Sequence, residues 1–376
     1  MLVTRKNQVS RRELRPPTER LKNGAPQLQL ARTRPCIRIL SLAFLSGGVA
    51  LHREVRAVRR EVAIGSMAFM HEHVRGPLQG YYIDFSDQKY LDPTYAFDSH
   101  GIPVFVADGT VHYHPVLISE FALGAYEYHL KTEDPVARER FLLCADWLTN
   151  NLRARGRFFN WEYTHRSRHY RLDVPWVSAM AQGEGISVLV RAVSITGETR
   201  YITAAEKALA SIFFDSSVGG VSTVTGMDYI FPQEYPTDPP SYVLNGAIAA
   251  YLGVHDYYRL TKDSHVKMKA DTILRTLHKA LEHYDAGYWS LYGLCPRYLA
   301  APRYQLLHAL QLRVLHAISG NQKFHEFAEK FERQSQSTAS AVRYVIANHD
   351  RQIRSLRPST FRKIPGAVWR ILRGDV

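Results

Sequence analysis

Apolar residues recur at helical spacing through eight segments after residue 114, and the segments come in pairs. The pairs cover 114–130 with 135–152, 178–194 with 199–214, 242–260 with 264–283, and 303–319 with 322–348. First members are almost wholly apolar, as in SAMAQGEGISVLVRAV. Second members carry more charge, as in KMKADTILRTLHKALE. A helix that is apolar all round is buried on every side, whereas one with a polar face lies at the surface. The pattern predicts a mainly α chain, a toroid of about four helical hairpins with the first members innermost. Those members start near 114, 178, 242 and 303 without shared identity, so the repeat is architectural. Thr196-Gly197 and Gly320 mark turns within pairs, and Ser264 reads as a helix cap. Ahead of the helices, 80–90 and 101–114 alternate apolar and polar residues around turn signals, which predicts short strands or a hairpin.

This reading divides the chain into an N-terminal arm (1–75), a short β region (76–113), the toroid (114–350) and a basic tail (351–376). The length suffices for a substantial core. Charge changes the picture only at the front. Of the net +13, residues 1–75 supply +10, from 15 Lys/Arg against 5 Asp/Glu. The plain reading of the arm is a solvated basic tail; an anionic lipid, an acidic glycan or nucleic acid is the alternative partner. With no helix-turn-helix or zinc-finger spacing, no specific nucleic-acid binding is expected. Residues 39–51, ILSLAFLSGGVAL, resemble the apolar part of a targeting signal but fall short of the roughly 20 residues of a spanning helix. A cytoplasmic location is the default, with anchoring or secretion through residues 32–51 as the alternative. Cys36, Cys144 and Cys295 form neither a disulfide framework nor a metal motif.

Candidate chemistry gathers where the chain enters the inner helices. Trp176 and Gln182 open the second of these, and Tyr113 precedes the first. Glu234-Tyr235-Pro236 precedes the third, where Pro236, Pro239 and Pro240 predict an extended, stiff loop. A carboxylate beside a phenol is a reasonable acid–base pair. Taken alone, Glu234 reads first as a solvated loop acid. Asn245, inside an apolar run, either braces a loop or contacts ligand, since a buried amide needs partners. The loop YDAGYWSLYGL carries Tyr292, and in the last inner helix Tyr304, His308 and Gln311 share one face. His308 reads first as a core histidine. Gly183-Glu184-Gly185 is not a nucleotide motif, and no phosphate loop appears.

Six ordered blocks carry a family resemblance: HPVLISEFALGAYEY, CADWL (144–148), PWVSAMAQGEGISVLVRA, QEYPTDPPSYVLNG, YDAGYWSLYGL and RYQLLHALQL. Over roughly residues 100–330 the chain resembles the C-terminal domain of D-glucuronyl C5-epimerases, which invert uronic acids within a polysaccharide. The resemblance implies an incomplete α/α toroid preceded by β structure. It implies a catalytic Glu234–Tyr235 pair with Tyr292 and Tyr304 as further active-site tyrosines, and a substrate such as heparosan. No metal or organic cofactor is implied, and a homodimer is. Trp176, Gln182, Asn245, His308 and Tyr113 are the candidate substrate contacts. The sequence departs from the family at Gln305, Leu310 and Ala301, where the family has histidine, asparagine and arginine. Only a short turn near Thr132 to Asp134 stands where animal enzymes insert a β-sandwich.

Inversion at C5 needs a proton removed from one face of the ring and returned to the other. The expected division gives Glu234 one face and Tyr292 the other, with Tyr235 and Tyr304 holding the carboxylate or sharing in proton transfer. A uronate lyase makes the same carbanion and then expels the C4 substituent. A non-catalytic glycan-binding toroid and a glycoside hydrolase using Glu184 as second carboxylate are the other readings.

Overall fold

The computed structural model describes residues 47–64, 68–75, 78–107 and 109–355. The chain divides into two compact units at Ala50/Leu51, and apart from the first four residues of the helix Gly47–Ile64 all that follows concerns the second. Much of the apolar run at 39–51, together with the tail beyond residue 355, lies outside the described residues.

Helix α1 spans Gly47–Ile64. Strands β1 (Ala96–Phe97), β2 (Pro103–Ala107) and β3 (Thr110–His112) form a small antiparallel sheet. Helices α2 (Pro115–Thr132) and α3 (Pro135–Asn150) make the first pair. Strands β4 (Arg153–Arg155) and β5 (Phe158–Asn160) precede α4 (Ala179–Thr196) and α5 (Thr199–Leu209). Strands β6 (Ser222–Thr225) and β7 (Tyr229–Pro232) precede α6 (Leu244–Thr261) and α7 (Ser264–Ala280). Strands β8 (Leu291–Leu294) and β9 (Arg297–Leu299) precede α8 (Pro302–Ser319) and α9 (Gln322–Gln336). Helix α10 (Thr338–Ser355) closes the described chain.

The four pairs are those expected, and α2, α4, α6 and α8 pack side by side as the inner row of an incomplete α/α toroid. The three-stranded sheet leads into α2, and a two-stranded antiparallel hairpin leads into each of α4, α6 and α8; only the strands before α2 were legible in the sequence. Helices α4 and α6 approach most closely at glycines. A Cβ on Gly183 would stand 2.4 Å from Ala250 Cα, and one on Gly253 2.1 Å from Gly183 O. Gly185 leaves room for the Trp161 ring, 2.5 Å from its missing Cβ. The Gly-Glu-Gly motif is thus a packing device, with Glu184 between two close approaches.

Local details correct the sequence reading. The cap before α7 is Asp263, whose carboxylate accepts from His265 N at 2.8 Å and Val266 N at 3.3 Å; Ser264 is the first helical residue. The last outer segment breaks at Ser337 (φ −77, ψ 122), giving α9 and α10 in place of one long helix. Residues 80–90 form no strand: they hold one bridge, Phe69 to Ile83, and a five-residue π turn at Ser86–Tyr90. The arm expected over 1–75 contains α1, whose Val55, Val58 and Val62 are buried with Trp289, Ala341, Tyr344 and Val345.

Segment 72–90 bears on both ends of the inner row. Its helical turn Glu72–Arg75 touches α8, and its π turn packs on α2. A buried ion pair fixes it. Arg191 of α4 donates to Asp256 Oδ2 of α6 at 2.6 Å and to Gly80 O at 2.9 and 3.1 Å, while Tyr82 OH donates to Asp256 Oδ1 at 2.5 Å.

Candidate active site

A cavity of about 400 Å³ opens among the helix-entry loops. Glu234, Tyr235, Asn245, Arg303, Tyr304 and Trp176 line it from the loops and helices of the later pairs. Lys89, Asp92, His114, Val116, Leu117 and Glu120 line it from the π turn and the start of α2.

Glu234 is its chemical centre. β7 delivers the residue, and α6 receives it closely: a Cβ on Gly246 would lie 2.4 Å from Glu234 Oε2 and 2.5 Å from Glu234 Cβ. The side chain is 7% exposed. Tyr292 OH donates to its Oε1 at 3.2 Å, and Asn245 Nδ2 to its Oε2 at 3.4 Å. Burial pushes its carboxyl up to about 7; hydrogen bonds from Tyr235, Tyr292 and Asn245 restrain the shift, while the charge of Glu120 adds to it. The group is therefore poised between acid and base near neutrality.

The phenols around it stay protonated. Burial first, then the charge of Glu234, raises Tyr235, Tyr292 and Tyr304 above the ordinary phenol value. The loop that carries Tyr235 folds back on itself, contrary to the extended form expected, with Ser241 Oγ donating to Tyr235 O at 2.8 Å. Tyr170 stacks on the Tyr235 ring at 3.8 Å, and Tyr163 on Trp176 at 3.8 Å with planes 8° apart. Tyr163, Trp176 and Tyr235 give the cavity flat walls suited to a sugar face. Asn245 Oδ1 is buried without a protein partner, leaving an acceptor beside Glu234.

Of the nine site residues read from the sequence, six come together: Glu234, Tyr235, Tyr292, Tyr304, Trp176 and Asn245. Three do not reach the cavity. Gln182 is fully buried, and its amide is spent on Trp161 N, Phe159 O, Ala208 O and Ser211 Oγ, which makes it a brace. His308 is buried beneath Ser290, with its Nδ1 2.9 Å from Ser290 Oγ, and burial lowers its pKa to about 3. Tyr113 points outward to Asp98 Oδ2 at 2.7 Å; its neighbour His114, the α2 cap, lines the cavity instead. Gln305 serves as a second brace, accepting from Ser290 N at 2.7 Å.

Sequence reasoning missed Lys89, Glu120, His114 and Arg303. Lys89 and Glu120 form an ion pair at 2.5 Å. Glu184 lies behind them, buried, with Oε2 unpartnered; burial and the nearby Glu120 charge push its carboxyl well up. The only advance signal was the cluster of charges in two otherwise apolar segments.

The helical toroid thus holds a carboxyl–phenol cluster in a cavity among its helix-entry loops. Residues 155–333, just under half of the chain, match the family described as D-glucuronyl C5-epimerase C-terminus. Over 162 residues the chain is 38% identical to the D-glucuronyl C5-epimerase of Caenorhabditis elegans, covering 42% of this chain and 25% of that one. It thus spans about a quarter of that relative's length. It is also 27% identical over 222 residues to an uncharacterized protein of Methanocaldococcus jannaschii, covering 55% and 72% of the two chains. Among solved structures, a cellobiose 2-epimerase from Spirochaeta thermophila is similar at TM-score 0.45 and 12% identity, over 66% of this chain and 65% of that one. A family 76 mannosidase from Bacteroides thetaiotaomicron follows at 0.42 and 12%, over 61% and 62%. Both are distant likenesses.

Proposed function

We propose that this protein inverts C5 of D-glucuronate residues within an acidic polysaccharide, yielding L-iduronate. The observation that carries the reading is Glu234, a carboxyl that burial raises to about 7 against the opposing pull of its hydrogen-bond donors, in a cavity with aromatic rings in its wall. A carboxylate with that pKa takes a weakly acidic proton far better than an exposed one does.

We assign the two faces differently from the sequence expectation. Groups acting on opposite faces of one carbon stand roughly 6–7 Å apart, because each approaches to about 3–3.5 Å. Tyr292 donates directly to Glu234 at 3.2 Å, so these two form one unit on one face. Tyr304 lines the same cavity, with the Arg303 guanidinium 5.0 Å from its ring centre, and we assign it to the opposite face. Glu234 takes the C5 proton, Tyr304 returns one from the other side, and roles exchange in the reverse direction. A neighbouring cavity of about 550 Å³ shares Trp176 and is lined by Arg155, Asp173, Asp215 and Asp238, which gives the next sugar of a polymer somewhere to lie.

The test is solvent exchange at C5 in D2O with heparosan as first substrate. Glu234→Gln and Tyr304→Phe are each expected to lower deuterium uptake at least 100-fold. Full activity in either variant contradicts its assignment. Absorbance from a C4=C5 double bond identifies a lyase in its place.

A further inference from the structure

The proposed reaction leaves a charge that Glu234 and the tyrosines do not neutralise. When the C5–H pair moves into a C5–C6 double bond, the substrate carboxylate becomes an enediolate with two negative charges. Stabilising that charge is the largest task of such a site. The cations lining the cavity among the described residues are Lys89 and Arg303. Arg303 is engaged with Tyr304, its guanidinium 5.0 Å from the ring centre.

Lys89 is built in with care. The π turn that carries it is pinned at Asp84, whose Oδ1 accepts from Ser86 N at 2.8 Å and Ser86 Oγ at 2.6 Å. Gly124 of α2 allows the turn to sit close, since a Cβ there would meet Phe85 O at 2.6 Å. Tyr90 packs between Phe121 and Tyr128, at 5.4 and 5.3 Å. The π geometry adds a residue to the turn, and such turns recur at functional sites. The ammonium then meets Glu120 Oε2 at 2.5 Å, leaving two of its three donors for other partners. Burial alone would lower the ammonium's pKa, but Glu120 outweighs it and holds the group above the ordinary lysine range. Burial and the charge of Glu120 push the carboxyl of Glu184, behind the pair, upward.

We infer that Lys89 is a catalytic residue, the cation that receives the substrate carboxylate and stabilises the enediolate, with Glu120 as the residue that positions it. The assignment rests on the epimerase reading above. In the step, Glu234 accepts the C5 proton, the carbonyl π pair of C6 moves onto oxygen, and the Lys89 ammonium donates to that oxygen without losing a proton. Reprotonation at C5 by Tyr304 restores the carboxylate.

The experiment measures deuterium uptake at C5 of heparosan in wild type, Lys89→Met and the double variant Lys89→Gln/Glu120→Gln. The double variant replaces the ion pair with a neutral pair, so no unpaired charge is left in the wall. Both variants are expected to lose kcat at least 100-fold while KM rises less than tenfold. Lys89→Arg should recover at least tenfold of the loss. If Lys89→Met does not fold, the double variant decides. A double variant within threefold of wild-type kcat means that the pair is structural and overturns the inference, leaving the epimerase reading intact. A wild type without uptake on any glucuronate polymer overturns both.

Discussion

Glu234 concentrates the chemistry, and its environment fixes how pH must act. With a carboxyl held near 7, kcat/KM should rise as pH passes through about 7 and level off above, as measured by uptake rates between pH 5 and 9. Tyr292→Phe removes a donor that favours the charged form, so the midpoint should move upward; an unchanged midpoint would show that this bond does not tune the base. The same raised value has a stability sign. The folded state binds the Glu234 proton more tightly than the unfolded chain does, so its contribution is greatest below the unfolded pKa of about 4.3 and is lost as pH rises towards 7. Glu234→Gln should therefore be more stable than wild type at pH 8, by up to roughly 3 kcal/mol, and no more stable at pH 4, read by denaturant unfolding. Gly246→Ala pushes a methyl into the Glu234 carboxylate and should lower uptake at least 100-fold while the fold persists. At this scale the sequence was a partial guide. Glu234 reads from its surroundings as a solvated loop acid, and only the family resemblance points to the site, because a loop acid does not announce that its loop will be buried. Gln182 reads as a substrate contact because a polar residue inside an apolar helix looks the same whether it faces a ligand or a neighbouring backbone, whereas His308 is the core histidine its apolar helix suggested.

Helices were the legible elements. Their periodicity is long and their terminal residues explicit, as with Ser178 before α4 and Gly197 after it (φ 74). The hairpins before α4, α6 and α8 were hidden because three- and four-residue strands are too short to display a period. The π turn at Ser86–Tyr90 was hidden for another reason: its backbone is imposed by packing on α2 at Gly124, which the local sequence does not announce. The buried Arg191–Asp256 pair ties α4, α6 and residues 80–82 together. Asp256→Asn leaves Arg191 buried without a charged partner and should cost about 3–5 kcal/mol in unfolding free energy. A loss below 1 kcal/mol would mean that the pair contributes little to joining these elements.

Across the molecule, the toroid was legible from the paired pattern because burying one helix on all sides leaves a nearly apolar sequence. The closing features were not. The valines of α1 lie in a basic region that reads as a tail, yet they bury against α10 and Trp289, and Glu54 lies 2.5 Å from His349. Val58→Asp should lower unfolding free energy by roughly 2–3 kcal/mol, from lost burial of the side chain. Unchanged stability would show that α1 does not hold its place on α10 in solution. Among the described residues no helix is long and apolar enough to cross a membrane.

The most direct measurement follows C5 of a glucuronate polymer by NMR in D2O with wild-type protein and Glu234→Gln side by side. The account predicts deuterium at C5 with L-iduronate appearing in the wild type, and neither in the variant. A variant that matches the wild type, or a wild type inert on glucuronate polymers, would contradict it.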